Sequence, residues 1–216
     1  MMNRRFRNFS FVALLAIAAL AAVAAVSAKA ADNASQSAGT QQTAVFAGGC
    51  FWGVDAVFKH VKGVDQVVSG YAGGGASTAQ YETVSTGTTG HAESVEVTYD
   101  PSRVSYNDLL EVFLAAHDPT ELNRQGPDEG TQYRSAVFYT SADQKKAADA
   151  YIAKLDRAKA YSDPIVTQVV ALKGFYPAEA YHQDYLEQHP DNPYIVINDL
   201  PKLALLREKF PQLYKP

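Results

Sequence analysis

The sequence is almost free of cysteine, because Cys50 is the single thiol among 216 residues. These residues therefore cannot form an internal disulfide, and they do not belong to the disulfide-stapled class of small domains. The sequence also has no phosphate-binding loop, because the glycine run at 73–75 lacks the lysine and hydroxyl of that motif. We interpret this run as a turn.

The N-terminus predicts a secretory signal peptide. Residues 1–30 begin with a basic cluster that includes Arg4 and Arg5, continue with an apolar stretch at 11–26, and end in the small-x-small motif at 28–30. This pattern is typical of cleaved signals, so we expect export to the periplasm and cleavage before Ala31. An uncleaved membrane anchor is the alternative, because the apolar stretch approaches spanning length.

Basic residues are scarce in the remainder of the chain. Cleavage would leave 15 basic and 23 acidic residues, a net charge of −8. This balance argues against nucleic acid as a partner and against stable association with an anionic membrane. An odd cysteine in an exported chain indicates a reactive thiol or an intermolecular partner.

The remaining patterns predict one domain of the α+β class. We expect a flexible linker at 31–42, a catalytic domain at 43–198 and a C-terminal tail at 199–216 packed on that domain. Loops are expected at 81–90 and 120–130. Strands are expected at 43–48, 64–71, 91–99, 133–140 and 165–172, and helices at 50–61, 106–117 (capped by Ser105), 141–160, 178–189 and 202–210. Strands separated by helices indicate a two-layer sandwich with a mainly antiparallel sheet.

Cys50 follows two glycines and opens an amphipathic segment. Val54, Val57, Phe58 and Val61 have the spacing of one helical face. Free N–H groups and the macrodipole at a helix start favour the thiolate. We therefore expect an uncovered sulfur whose pKa lies below the ~8.5 of a free thiol, by about one to two pH units when substrate occupies the site. The alternative is a small buried hydrophobe.

Phe51 and Trp52 follow the cysteine directly. Adjacent helical side chains point about 100° apart, so both rings cannot enter the same core. We expect at least one of them to flank the sulfur as an apolar wall, with ordinary aromatic packing as the alternative.

Glu93 shares one face of its predicted strand with Val95, Val97 and Tyr99, whereas Glu96 lies on the other face. A buried carboxyl group prefers to be neutral, which makes it a proton donor near neutral pH. A thiolate and a neutral acid together suit reduction of a polar X=O bond. Glu93 turning back to solvent at the strand end is the alternative.

Other polar groups give weaker signals. Tyr81 and Tyr133 carry hydroxyl groups that can donate to an oxygen without adding charge, and Asp128 lies in the second predicted loop. The histidines have no metal-ligand spacing, so we expect no metal. A Cys–His hydrolytic pair that uses Cys50 remains open at this point.

Six motifs, taken together, resemble the A-type peptide methionine sulfoxide reductases between residues 43 and 198. They are Gly49-Cys50-Phe51-Trp52-Gly53, Ser69-Gly70-Tyr71-Ala72-Gly73-Gly74, Tyr81-Glu82-Thr83-Val84, Thr89-Gly90-His91-Ala92-Glu93, Asp128-Glu129-Gly130-Thr131-Gln132-Tyr133-Arg134-Ser135 and Tyr181-His182-Gln183-Asp184-Tyr185-Leu186. The resemblance implies a ferredoxin-like α/β plait and repair of oxidised methionine, with reduction of the S epimer of methionine sulfoxide, free or in proteins.

The resemblance also implies roles for the matched residues. It implies Cys50 as the nucleophile, Glu93 as the acid that protonates the sulfoxide oxygen, Tyr81 and Tyr133 as hydrogen-bond donors to that oxygen, Asp128 as an ordering group, and Phe51 and Trp52 as the walls that hold the substrate methyl group. The oxidised product would be a sulfenic acid on Cys50.

One feature departs from the family pattern. Many members carry resolving cysteines after the first conserved tyrosine or in the tail, and here neither region has a thiol. We therefore expect recycling by an external thiol such as a thioredoxin-like protein, glutaredoxin or glutathione. We also expect a monomer with no bound cofactor. The alternatives to a reductase are a Cys-dependent hydrolase, a thiol peroxidase and a non-catalytic binder of oxidised methionine.

Overall fold

The computed structural model describes residues 40–216. The predicted signal peptide at 1–30 and most of the predicted linker at 31–42 lie outside the described residues. The first strand begins at Gln42, one residue before the predicted domain start. Within 40–216, no helix combines the length and the apolar character needed to cross a membrane.

The described residues form an α+β fold, which confirms the predicted class. Its strands are β1 Gln42–Ala47, β2 Val64–Ala72, β3 Ala92–Tyr99, β4 Arg124–Gln125, β5 Asp128–Glu129, β6 Ala136–Tyr139, β7 Gln168–Ala171 and β8 Phe175–Pro177. Its α-helices are α1 Phe51–Lys59, α2 Tyr81–Val84, α3 Tyr106–Ala115, α4 Ala142–Ala158, α5 Tyr185–Gln188 and α6 Leu200–Lys209. Short 3-10 turns occur at Ala76–Thr78, Thr131–Tyr133 and Ala180–His182, and a π-helical turn at Ile195–Asp199 leads into α6.

Six strands form one mixed sheet in the order β7-β6-β1-β3-β2-β8. The pairs β1–β3, β1–β6, β2–β3 and β2–β8 are antiparallel, and β6–β7 is parallel. Strands β4 and β5 form a separate two-stranded hairpin. The central strands β1 and β3 are thus paired on both sides. This pairing fixes the end of β1, which leads to Cys50, and the start of β3, which carries Glu93.

Aromatic stacking joins the central strand to the helices that cover it. The ring of Phe46 on β1 lies 5.2 Å from that of Phe58 on α1 and 4.8 Å from that of Phe113 on α3. The predicted cap of α3 is confirmed, because the Ser105 hydroxyl accepts from the Asp108 N–H and the Asp108 carboxylate accepts from the Ser105 N–H. This reciprocal arrangement satisfies two backbone donors that the helix leaves free.

Three predicted elements are wrong in detail. The loop expected at 81–90 begins with helix α2, and the loop expected at 120–130 contains the β4–β5 hairpin. The single helix expected at 178–189 is split into a 3-10 turn and α5. The break follows from Gln183, whose side chain accepts from the Ser69 N–H at 2.9 Å and donates to the Ser69 carbonyl at 2.9 Å. The chain then turns through Asp184 at a φ of 55° before α5 begins.

The C-terminal segment packs beside α1. Leu206 of α6 is buried in the main core, and Tyr214 forms an antiparallel bridge with Val61. The Lys215 N–H donates to the His60 carbonyl at 2.8 Å. The end of the chain is thereby fixed against the helix that follows Cys50.

Candidate active site

Cys50 occupies the junction between β1 and α1, where it is the N-cap residue of the helix. The preceding Gly49 has a φ of +89°, a conformation that residues with a side chain rarely adopt. A Cβ atom on Gly49 would lie 2.6 Å from Cβ of Gln125. Glycine is therefore required both for the turn and for the close approach of the 125–128 loop to the cysteine.

The predicted exposure and acidity of Cys50 are wrong for the substrate-free protein. The residue is only 7% exposed. Burial raises the pKa of the Cys50 thiol, and the negative charges of Glu93 and Asp199 raise it further. The N–H of Trp52 at the helix start and the charge of Lys202 act in the opposite direction, but they do not outweigh desolvation.

Glu93 lies on the buried face of β3, as the alternation predicts, and is 3% exposed, whereas Glu96 is half-buried. Oε2 of Glu93 accepts a hydrogen bond of 3.1 Å from the N–H of Phe51, the first residue of α1. Burial raises the pKa of Glu93 to about 8, although the Phe51 N–H favours the ionised form. The structure thus holds a largely protonated carboxyl group beside the turn that carries Cys50.

Tyr81 and Tyr133 approach the same pair of groups from two further elements. Both are half-buried, Tyr81 at the start of α2 and Tyr133 in the 3-10 turn after the hairpin. Burial raises the pKa of each hydroxyl, followed by the charge of Glu93, and Cys50 raises both as well. Both side chains therefore remain neutral hydrogen-bond donors at physiological pH.

The two aromatic residues after Cys50 have different environments. Phe51 is 1% exposed, and its ring lies 5.9 Å from Tyr71 and 5.0 Å from His182. Trp52 is half-buried and stacks on Tyr185 with ring centroids 3.6 Å apart. Of the two predicted substrate-contacting rings, Trp52 alone keeps appreciable exposed surface.

Cys50 opens onto a cavity of about 90 Å³. Across this cavity lies Asp128, which follows the hairpin turn and accepts a hydrogen bond from the Tyr194 hydroxyl. The cavity is lined by Cys50, Gln125, Gly126, Pro127, Asp128, Tyr194, Asn198 and Lys202. The hairpin supplies one wall and the C-terminal segment the other.

Sequence reasoning missed His182, Tyr194, Asp199 and Lys202 as parts of this region. The sequence offers His182 within a family motif and as one possible partner in a Cys–His pair, but it does not predict that Nδ1 accepts from Trp52 Nε1 at 3.2 Å or that the ring packs on Tyr81. Tyr194 lies in a proline-flanked stretch without periodicity. The i,i+3 spacing of Asp199 and Lys202 was the one available signal, since such pairs commonly meet on a helix.

A Cys–His hydrolytic pair is disfavoured by these contacts. His182 Nδ1 accepts from Trp52 Nε1, so in the neutral ring the proton lies on Nε2, which is buried and has no partner among the described residues. Both ring nitrogens of His117 have partners, the Phe113 carbonyl at 2.8 Å and the Ser135 hydroxyl at 2.7 Å. A buried thiol next to a protonated carboxyl group and neutral hydroxyl donors instead suits an uncharged, polar X=O group.

Comparison with known proteins points to the same chemistry. A family model described as peptide methionine sulfoxide reductase matches residues 42–214. Peptide methionine sulfoxide reductase MsrA 2 of Mesorhizobium japonicum is 60% identical over 180 residues, which span 83% of this chain and 92% of the relative. The reduced form of Mxr1 from Saccharomyces cerevisiae matches with a TM-score of 0.65 and 32% identity, over 70% of this chain and 87% of that one. Methionine sulfoxide reductase A of Corynebacterium diphtheriae matches with a TM-score of 0.62 and 36% identity, over 69% of this chain and 76% of that one.

Proposed function

Because this chain belongs to the peptide methionine sulfoxide reductase family, we propose that it reduces the S epimer of methionine sulfoxide, free or in polypeptides, with Cys50 as the nucleophile. Reduction of methionine sulfoxide is the activity of the chain, which is an oxidoreductase of the MsrA type. The choice of epimer and the roles of individual residues are the parts that we propose.

The observation that carries the mechanism is the burial of Glu93 at the helix start that holds Cys50, where its carboxyl group accepts from the Phe51 N–H and burial raises its pKa. The Cys50 sulfur attacks the sulfoxide sulfur while a proton passes to the sulfoxide oxygen. This attack forms a bond between the two sulfur atoms. The hydroxyl group then transfers to the Cys50 sulfur as the S–S bond and the S–O bond of the substrate break, so that methionine is released and Cys50 becomes a sulfenic acid. The substrate gains two electrons and the cysteine sulfur loses two.

The raised pKa of Cys50 is compatible with this chemistry. The reaction consumes a thiol and a sulfoxide and yields a sulfenic acid and a thioether, so the enzyme and substrate together neither gain nor lose a proton. Glu93 can give its proton to the departing oxygen and recover one from the cysteine. The Cys50 thiol therefore loses its proton only when sulfoxide is bound, because the sulfoxide oxygen is the final acceptor of a proton.

The other predicted residues complete the site. Tyr81 and Tyr133 donate hydrogen bonds to the sulfoxide oxygen, because both hydroxyl groups stay neutral and lie close enough to Glu93 and Cys50 for these groups to raise their pKa values. Asp128 orders the cavity through its hydrogen bond with Tyr194. Trp52 forms the exposed part of the methyl-binding wall, and Phe51 supports it from the core.

Regeneration of the enzyme requires a thiol from outside. The sequence contains one cysteine, so an internal disulfide cannot form within these residues. An external thiol attacks the sulfenic sulfur, releases water and leaves a mixed disulfide, which a second thiol then reduces. The donor is a thioredoxin-like protein, glutaredoxin or glutathione, acting on a monomeric enzyme in the periplasm after removal of residues 1–30.

We propose that the scaffold of this site is a ferredoxin-like plait, for the following reason. Elements β1, α1, β2, β3, α3 and β6 follow the order βαββαβ along the chain. Their strands lie in the order β6-β1-β3-β2, and all three pairings are antiparallel. Strands β7 and β8 then extend the plait at its two edges.

The proposal is tested by an assay with both sulfoxide epimers and an external dithiol. We expect reduction of the S epimer alone and no turnover by Cys50→Ser, with thermal unfolding of the variant unchanged. Turnover by Cys50→Ser would refute the nucleophile, and reduction of the R epimer would refute the stereochemistry. Binding without turnover in either protein would identify a non-catalytic binder, and consumption of peroxide without sulfoxide turnover would identify a peroxidase.

A further inference from the structure

A buried ion pair from the C-terminal segment lies next to the nucleophile. The Nζ atom of Lys202 is 2.9 Å from Oδ1 of Asp199, and the two side chains are 15% and 0% exposed. The second carboxylate oxygen of Asp199 is buried and has no hydrogen-bond partner among the described residues. Charged side chains are rarely buried unless they are paired, and removing one partner leaves the other charge buried and uncompensated.

The pair lies directly on the first turn of α1. A Cβ atom on Gly53 would lie 2.1 Å from Oδ1 of Asp199 and 2.7 Å from Nζ of Lys202. Any side chain at position 53 would displace the pair. The glycine therefore leaves space in which the two charges approach the backbone that begins at Cys50.

The two charges act on Cys50 in opposite directions. Lys202 lines the same cavity as Cys50. The negative charge of Asp199 raises the pKa of the thiol, and the positive charge of Lys202 lowers it by a smaller amount. In the part of the chain that the structure describes, Lys202 is the one cation that lines this cavity.

We propose that Asp199 and Lys202 are a positioning pair for the nucleophile, holding two opposed charges against the first turn of α1 so that the C-terminal segment sets the charge state of Cys50. This inference rests on the proposed role of Cys50 as the nucleophile. On this proposal, the segment 199–202 influences the reactivity of Cys50 in addition to packing on the domain.

Several other ionisable groups lie near Cys50 and also influence its charge state. They are Glu93 from β3, Asp128 from β5, and the hydroxyl groups of Tyr81, Tyr133 and Tyr194. All of them are anionic or neutral, so Lys202 supplies the positive charge that opposes them. Each of these groups is unchanged in the variants proposed here.

The test measures the rate at which iodoacetamide alkylates Cys50 as a function of pH. The single thiol makes the signal unambiguous, and no sulfoxide is needed. Asp199→Asn removes the negative charge and should move the midpoint down by about half a pH unit or more. Adding Lys202→Met to that variant removes the remaining positive charge and should move the midpoint part of the way back up.

The predicted order of midpoints is therefore Asp199→Asn lowest, the double variant intermediate and the wild type highest. Lys209→Met, which removes an exposed lysine from the same helix, should match the wild type. A purely structural pair would lower the thermal unfolding midpoint without producing this order. If Asp199→Asn fails to fold, the double variant leaves no buried charge unpaired and must still lie below the wild type. Any other order overturns the proposal, and because no substrate is present, that result is independent of the sulfoxide assay.

Discussion

Glu93 is the residue on whose protonation the proposed mechanism depends. Its carboxyl group is 3% exposed, and its pKa is raised to about 8, chiefly by burial. The group therefore carries a proton at neutral pH and loses it as the pH rises through about 8. Two consequences at the scale of this residue can be measured, one in catalysis and one in stability.

Glu93→Gln should remove most of the reductase activity, because an amide cannot protonate the departing oxygen. General acids typically contribute about 10²–10⁴-fold, so kcat/KM for the S sulfoxide should fall within that range. The matched control is Glu96→Gln, on the other side of the same strand, which should retain nearly full activity. Equal losses in the two variants would contradict the assignment of the acid to the buried face.

The same substitution should change the pH dependence of stability. The folded protein keeps the Glu93 proton up to a pH of about 8, whereas an unfolded glutamate loses it near pH 4.3. Between these values the folded state binds more protons, so the contribution of Glu93 to stability is present at low pH and decreases as the pH rises. Denaturant unfolding from pH 4.5 to 8 should show wild type losing roughly 4 kcal/mol relative to Glu93→Gln. Parallel curves for the two proteins would show that the carboxyl group is ionised in the folded state.

At the scale of the elements, the junction between β1 and α1 determines where the sulfur lies. Gly49→Ala would force a side chain into a φ of +89° and into contact with Gln125. We expect a loss of roughly 1–3 kcal/mol in the free energy of unfolding and a lower kcat, because the turn and the hairpin both have to move.

Gly75→Ala is the matched control for that junction. Gly75 has a φ of −96°, and a Cβ atom there would meet nothing within 4 Å. Alanine at this position should leave activity unchanged and keep or slightly raise stability, since it restricts the unfolded chain. A Gly49→Ala protein as stable and active as Gly75→Ala would contradict the role given to the turn.

Elements with local signals could be predicted, and those fixed by distant contacts could not. The alternation of β3 and the Ser105 cap depend on neighbouring residues, so the sequence patterns were sufficient to find them. The break at Gln183 depends on hydrogen bonds to Ser69, more than a hundred positions earlier in the chain. Short-range periodicity does not predict such a long-range contact.

The same distinction applies to the candidate site. Cys50 and Glu93 were identified because their residue types and strand or helix positions carry chemical meaning. The acidity of Cys50 was wrongly predicted, because the helix start is a local feature whereas burial depends on the whole fold. The cavity wall formed by Tyr194 and Lys202 was missed for a related reason, since it exists only after the C-terminal segment has packed beside α1.

At the scale of the whole molecule, the fold encloses one thiol and supplies no second one. Strands β1 and β3, the 125–128 hairpin loop and the C-terminal segment converge on Cys50. On the proposed mechanism, such an enzyme completes one half-reaction alone and then requires an external thiol donor. The sulfenic acid should therefore accumulate when substrate is present and thiols are absent.

Intact-mass measurement after a single turnover tests this claim most directly. With S-sulfoxide and no reductant, we predict one equivalent of methionine per enzyme and a protein heavier by one oxygen atom. Dimedone should convert that species into a single adduct, and a small thiol should convert it into a mixed disulfide. Stoichiometric release of methionine from a protein that carries neither the added oxygen nor the dimedone adduct would contradict the account.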